Sequence, residues 1–167
     1  LEGQTITHEE FFKKQKNGSV IYTSQPNPYD VTQLWEQVLE EYEELIYIPM
    51  SSGLSSSCDT AMALARQYEG KVIVADLGRV SVTQKLAVLE ARRMAQQGLS
   101  ALEISGRLQY VKNECIIYLT VDNLKYLKQS GRISASSAMI GNVLNIKPLL
   151  YLQGEKVEVA EKVRGDK

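Results

Sequence analysis

The chain has 167 residues, of which 44% are hydrophobic and 23% charged, and its formal net charge is −1 at pH 7. This length suits one main hydrophobic core, and the near-neutral charge argues against a protein that gathers nucleic acid or an anionic membrane. Cys58 and Cys115 have no CxxC spacing and the chain has one histidine, so a disulfide scaffold and a zinc site are both disfavoured.

The first fifty residues contain two helix start signals. Thr7 and Glu10 form a capping box, which predicts a helix that ends at Gly18. Asn27 as cap and Pro28 at the first helical position predict a second helix that runs to residue 44. Apolar residues at intervals of three and four in the second helix predict one buried stripe.

Short apolar runs then alternate with helical segments. The three runs are residues 45–50, 71–76 and 115–120. The segments after them predict helices over about 56–68, 82–98, 100–114 and 121–131. Strands that alternate with helices of this length predict an α/β fold with a parallel sheet flanked by helices in three layers. Asp122 is the expected cap of the fourth of these helices.

The end of the chain departs from this alternation. Residues 133–146 predict an apolar helix, and residues 147–161 predict a hairpin with Gly154 at its turn. We therefore expect an α/β domain over residues 1–145 and the start of a second domain over residues 146–167. The chain begins with Leu1 and shows neither a signal peptide nor an apolar run of membrane-spanning length, which predicts a cytoplasmic piece of a longer protein without an integral membrane segment.

Five serines between residues 51 and 57 follow the first predicted strand. In an open parallel sheet the ligand lies beyond the carboxyl ends of the strands, where this loop meets the start of a helix. Unsatisfied N–H groups at that helix start, with hydroxyl donors from Ser52, Ser55 and Ser56, would bind an anion. The structural alternative is a serine helix cap with solvated neighbours.

The serine loop matches two known motifs only in part: the phosphate-binding P-loop and the GxSxG motif of serine hydrolases. It has one glycine and no lysine, unlike a phosphate-binding P-loop. Gly53 to Ser57 match all but the last glycine of GxSxG, so a serine esterase or thioesterase with Ser55 as nucleophile remains an alternative. His8 is the one histidine available as a base, and it lies in the first turn of the first predicted helix.

Two further polar segments are candidates for a site. Thr23 and Ser24 precede the second helix, where a simple turn would explain them. Arg132 lies in a glycine-containing connection after the short helix, and for one arginine an internal ion pair is the commoner role. Neither segment is informative alone.

Taken in order, the segments YTSQP, SSGLSSS, DNLKYLKQSGRIS and IGNVLNIKPLL resemble the DegV family of fatty-acid-binding proteins over nearly the whole chain. The resemblance implies that Thr23 and Ser55 hold the carboxylate of a long-chain fatty acid. We expect Ser24, Ser52, Ser56 and Arg132 as possible supporting residues of this site. A separate fatty acid kinase would phosphorylate the presented carboxylate, so the chain would be a binding subunit without catalytic residues, cofactor or metal. Compared with the family, it would lack the first strand and helix and most of the second domain.

Overall fold

The computed structural model describes residues 6–121, 124–133, 146–153 and 156–164. Asp122, Gly154 and most of the predicted apolar helix over residues 133–146 therefore lie outside the described residues. The predicted domain boundary at residue 145 also falls in such a gap and stays a prediction.

The first two helices begin where the capping signals predict. In α1, His8–Lys16, the Thr7 hydroxyl accepts from the Glu10 N–H at 3.2 Å, and the Glu10 carboxylate accepts from the Thr7 N–H at 2.9 Å. In α2, Pro28–Leu39, the Asn27 side chain accepts from the Tyr29 N–H at 3.1 Å. The second helix ends five residues before the predicted residue 44. Four glutamates follow Leu39 closely, and negative charge is unfavourable at a helix carboxyl end.

Two strands form the parallel part of the fold. Strands β1, Leu45–Tyr47, and β2, Val72–Val74, pair in parallel with Ile46 opposite Ile73. Helix α3, Ser57–Ala65, connects them and continues as a 3-10 turn, Arg66–Tyr68. Trp35 of α2 packs over this unit and is 1% exposed. The predicted α/β class with a parallel sheet and flanking helices is thereby confirmed, although each strand is shorter than its apolar run.

The main core lies between this strand pair and the next two helices. These are α4, Ser81–Gln96, and α5, Ala101–Tyr110, the second with the predicted Ser100 and Glu103 capping box. The buried residues of the core are Ala75, Leu77, Ala87, Ala91, Met94, Ile104 and Leu108. None of the described helices is long and apolar enough to cross a membrane.

The third predicted strand does not join the parallel pair, which corrects our expectation. Strand β3, Ile116–Thr120, pairs antiparallel with β4, Ile146–Gln153, and β4 pairs antiparallel with β5, Lys156–Arg164. Along β3, Ile116 and Tyr118 are exposed whereas Ile117 and Leu119 pack on a core. A sheet with one solvated face is typical of antiparallel pairing, whereas parallel strands are covered on both faces.

The end of β3 nevertheless comes close to the loops that follow β1 and β2. A second core cluster contains Leu124 and Ile133 beside the short helix α6, Lys125–Gln129, together with Leu150 of β4. Leu54 from the loop after β1 and Val80 from the loop after β2 pack against this cluster. The loops that follow β1 and β2 therefore meet the end of β3 in one cluster.

Candidate functional site

The serine loop, residues 51–56, is folded back on itself at the carboxyl end of β1. The N–H groups of Leu54 and Ser55 both donate to the Ser51 carbonyl, at 3.0 and 3.1 Å. The Ser51 N–H donates to the Arg79 carbonyl at 2.8 Å, which joins the serine loop to the loop after β2. This arrangement places Ser55 two residues before the start of α3.

Asp76 holds the middle of the serine loop. The Ser52 hydroxyl donates to Asp76 Oδ2 at 2.7 Å, the Gly78 N–H donates to Oδ1 at 3.1 Å, and Lys112 Nζ lies 3.6 Å from Oδ2. Partial burial raises the pKa of Asp76, but the hydrogen bonds from Ser52 and Gly78 and the Lys112 charge outweigh it, so the pKa lies below its ordinary value. Asp76 is therefore an anion at neutral pH, and it accepts a hydrogen bond from the Ser52 hydroxyl.

Ser55 and Ser56 have different hydrogen-bonding roles. Ser55 Oγ accepts from the Ser57 N–H at 3.2 Å in the first turn of α3. Ser56 is the residue before the helix, but its hydroxyl donates across the chain to Gln25 Oε1 at 3.1 Å. A hydroxyl has one hydrogen and two lone pairs, so Ser56 has donated its hydrogen whereas the bond made by Ser55 uses a lone pair.

Residues 19–23 and Arg132 line a cavity of about 370 Å³. Its wall also includes residues from α1 and α6. The lining residues are Phe11, Gln15, Ser19, Val20, Ile21, Tyr22, Thr23, Tyr126, Leu127, Gln129, Ser130 and Arg132. Thr23 is exposed, and half of the lining is apolar or aromatic. The volume lies within the range of about 300–1,000 Å³ that is usual for small-molecule sites.

Arg132 connects this cavity with the serine loop. Its Nε donates to the Leu54 carbonyl at 3.1 Å, one residue before Ser55, and its Nη1 donates to the Ser130 carbonyl. The guanidinium has five N–H donors, of which these bonds use two. We expected an internal ion pair as the default role of Arg132, and the described contacts are instead with backbone carbonyls.

The structure brings the predicted site residues together to different degrees. Thr23 and Arg132 line one cavity, and Ser55 lies beside the Leu54 carbonyl that Arg132 binds. Ser52 and Ser56 donate within the protein, and Ser24 is exposed next to Thr23. In the described ranges, no group of three or more His, Cys, Asp or Glu side chains is placed to hold a metal ion.

Two residues that sequence reasoning did not single out also contribute to the arrangement. Asp76 accepts a hydrogen bond from the Ser52 hydroxyl, and Gln25 accepts from both Ser56 and Thr60. The position of Asp76 at the end of a predicted strand and that of Gln25 inside TSQP were visible signals. Their partners are 24 to 35 residues away in sequence, and no local pattern identifies them.

Comparison with known protein families matches residues 1–167 to the DegV family, described as uncharacterised. A DegV domain-containing protein of Deinococcus radiodurans is 37% identical over 167 residues, which cover 99% of this chain and 59% of the relative. Another, from Caldanaerobacter subterraneus, is 30% identical and is covered to 60%. The chain thus spans about three-fifths of the length of these relatives.

Solved structures agree with the family match. A DegV family protein from Thermus thermophilus, described with its fatty acid binding, has a TM-score of 0.85 and 31% identity, with 98% of this chain and 59% of that chain covered. A fatty acid binding DegV family protein from Streptococcus agalactiae has a TM-score of 0.85 and 28% identity, with coverage of 99% and 60%. From the match over its whole length and the shared fold, we conclude that this chain belongs to the DegV family.

Proposed function

We propose that this chain binds a long-chain fatty acid by its carboxylate, through the hydroxyls of Thr23 and Ser55, and presents it to a fatty acid kinase. The observation that carries the proposal is the distribution of hydroxyl hydrogens in the serine loop. Ser52 donates to Asp76 and Ser56 donates to Gln25, whereas the hydrogen bond of Ser55 is an accepted one. Ser55 is thus the serine of these three whose hydrogen is left to donate to a ligand anion.

The start of α3 suits an anion at this position. Ser55 precedes the first turn of a nine-residue helix, where the backbone dipole favours negative charge. The bond from the Ser57 N–H to Ser55 Oγ polarises the hydroxyl, which strengthens it as a donor. A carboxylate that accepts from Ser55 and Thr23 would gain roughly 1.5–3 kcal/mol from each charged hydrogen bond.

The cavity beside Thr23 suits the acyl part of the ligand. Phe11, Val20, Ile21 and Leu127 contribute apolar walls, and Thr23 is an exposed residue of the lining. Each buried methylene contributes about 0.8 kcal/mol, so ten methylenes contribute roughly 8 kcal/mol and dominate the affinity. The fatty acid binding described for the relatives from Thermus thermophilus and Streptococcus agalactiae supports this ligand class.

Transfer to a kinase requires that the carboxylate stay reachable. Thr23 is exposed, so a carboxylate bound by its hydroxyl is open to a second protein that holds a phosphoryl donor. Neutral hydroxyl donors leave more negative charge on the carboxylate oxygen than a lysine ion pair would. The oxygen is then a better nucleophile toward the phosphorus of the donor held by the kinase. A carboxylate O–P bond forms as the P–O bond to the donor's leaving group breaks, which gives an acyl phosphate and the dephosphorylated donor.

The test is native mass spectrometry of the natural full-length protein, followed by an acyl phosphate assay with its fatty acid kinase. We expect one fatty acid per chain and kinase-dependent phosphate incorporation that falls in Thr23→Ala and Ser55→Ala. Turnover of a 4-nitrophenyl ester without kinase, with loss in Ser55→Ala, would instead support the serine esterase. Unchanged fatty acid affinity in Thr23→Ala and Ser55→Ala would reject carboxylate binding by these two hydroxyls.

A further inference from the structure

Gln25 joins the two segments that carry Thr23 and Ser55. Its Oε1 accepts from Ser56 Oγ at 3.1 Å and from Thr60 Oγ1 at 2.9 Å. Ser56 and Thr60 lie one helical turn apart at the start of α3, so a single amide oxygen binds two points on one helix face. Thr23 is two residues before Gln25, and Ser55 is one residue before Ser56.

The amide oxygen of Gln25 is used to capacity by these bonds. A carbonyl oxygen has two lone pairs, and two hydroxyl hydrogens fill both. The angle between the lone pairs therefore fixes the amide relative to the helix more tightly than one bond would. The bond from Thr60 is part-buried, which limits competition from water, whereas Ser56 is exposed.

Packing around Gln25 also favours a fixed position. Gln25, Pro26 and Pro28 face Ala61 and Leu64 of α3 across a crevice of about 10 Å³. This volume is close to that of a single water probe, so the segment lies directly on the helix. Proline restricts its own φ angle and the conformation of the residue before it, so the backbone at Gln25 and Pro26 has little freedom.

From this geometry we propose that Gln25 is a positioning residue, which sets the separation of the Thr23 and Ser55 hydroxyls through its two bonds to α3. The inference rests on the proposed carboxylate site and deepens it. Gln25 itself would not touch the ligand. Two hydroxyls that must bind one carboxylate need a separation correct to a fraction of an ångström, because hydrogen bonds weaken steeply outside their distance range.

The experiment is titration calorimetry of the natural full-length protein with hexadecanoate. We expect Gln25→Leu to weaken binding about tenfold or more, because it keeps the side-chain size and removes the acceptor. Ser56→Ala combined with Thr60→Val removes the two donors instead and should weaken binding to a similar extent. Gln33→Leu is the matched control, since Gln33 bonds to Glu36 within α2 and should leave affinity unchanged.

Coupling to Thr23 separates positioning from a general loss of stability. If Gln25 positions Thr23, Thr23→Ala weakens hexadecanoate binding in the wild type but has little further effect in the Gln25→Leu background. The inference would be overturned if the losses of affinity from Thr23→Ala and Gln25→Leu were additive. It would also be overturned if Gln25→Leu and the double variant Ser56→Ala, Thr60→Val both bound hexadecanoate as the wild type does. Absence of hexadecanoate binding by the wild type would instead reject the proposed function.

Discussion

Replacing Ser55 by alanine should weaken fatty acid binding, and it should do so beyond what any loss of stability explains. The variant removes the hydroxyl hydrogen that we assign to the ligand carboxylate, and a charged hydrogen bond contributes roughly 1.5–3 kcal/mol. Because about 1.4 kcal/mol is tenfold in affinity, we expect hexadecanoate to bind about ten- to hundredfold more weakly.

The same substitution also removes a hydrogen bond from the first N–H of α3, and this effect on stability needs its own control. Ser55 Oγ accepts from the Ser57 N–H at 3.2 Å, as Ser100 Oγ accepts from the Glu103 N–H at 3.3 Å at the start of α5. Each loss should lower the free energy of unfolding by about 0.5–2 kcal/mol. Ser100→Ala is therefore matched in stability but should keep wild-type affinity.

The assay is titration calorimetry with hexadecanoate, with urea unfolding of the same samples. Equal affinities in Ser55→Ala, Ser100→Ala and wild type would refute the assignment of the Ser55 hydrogen. Equal losses of affinity in both variants would refute it too, because the effect would then follow stability.

Three other substitutions test separate parts of the structure. Asp76 has a lowered pKa in the folded protein, so its contribution to stability is complete above about pH 4, the pKa in the unfolded chain, and is lost as pH falls through the lower folded pKa. The difference in urea-unfolding free energy between wild type and Asp76→Asn should therefore shrink over that pH range. A difference that stays constant with pH would contradict this prediction. Arg132→Lys removes the hydrogen bond from Nε to the Leu54 carbonyl, so hexadecanoate should bind about tenfold more weakly in titration calorimetry. Unchanged affinity would show that this bond does not support the serine loop. Leu150 is 0% exposed, so Leu150→Ala should lower the free energy of unfolding in urea by about 2–5 kcal/mol. Leu102 is 68% exposed, and Leu102→Ala should lower it by less than about 0.5 kcal/mol. Similar losses in the two variants would contradict the assigned core.

Local features of the fold were predictable because their causes lie within a few residues. The capping boxes at Thr7 and Ser100 and the Asn27 cap each depend on a partner two or three residues away. The pairing of β3 was not predictable in this way. Residues 115–119 are all apolar or aromatic, so the sequence does not indicate which of these side chains face water. The partner strand β4 begins 26 residues after β3 ends, so no local pattern connects the two strands.

For the site, residue types and approximate location followed from the sequence, whereas hydrogen-bond directions did not. Ser52, Ser55 and Ser56 look equivalent as serines in one loop. Their partners Asp76 and Gln25 are brought in by the β2 end and by the segment before α2, and these partners distinguish the three hydroxyls. The distinction arises from tertiary packing and could not be read from spacing.

The most direct test of the central claim compares hexadecanoate with methyl hexadecanoate as ligands of the natural full-length protein. The ester keeps the acyl chain and removes the negative charge that the Thr23 and Ser55 hydroxyls would bind. We predict one bound hexadecanoate per chain and an affinity for the ester at least about tenfold weaker. Equal affinities for the acid and the ester, or no binding of hexadecanoate, would contradict the claim.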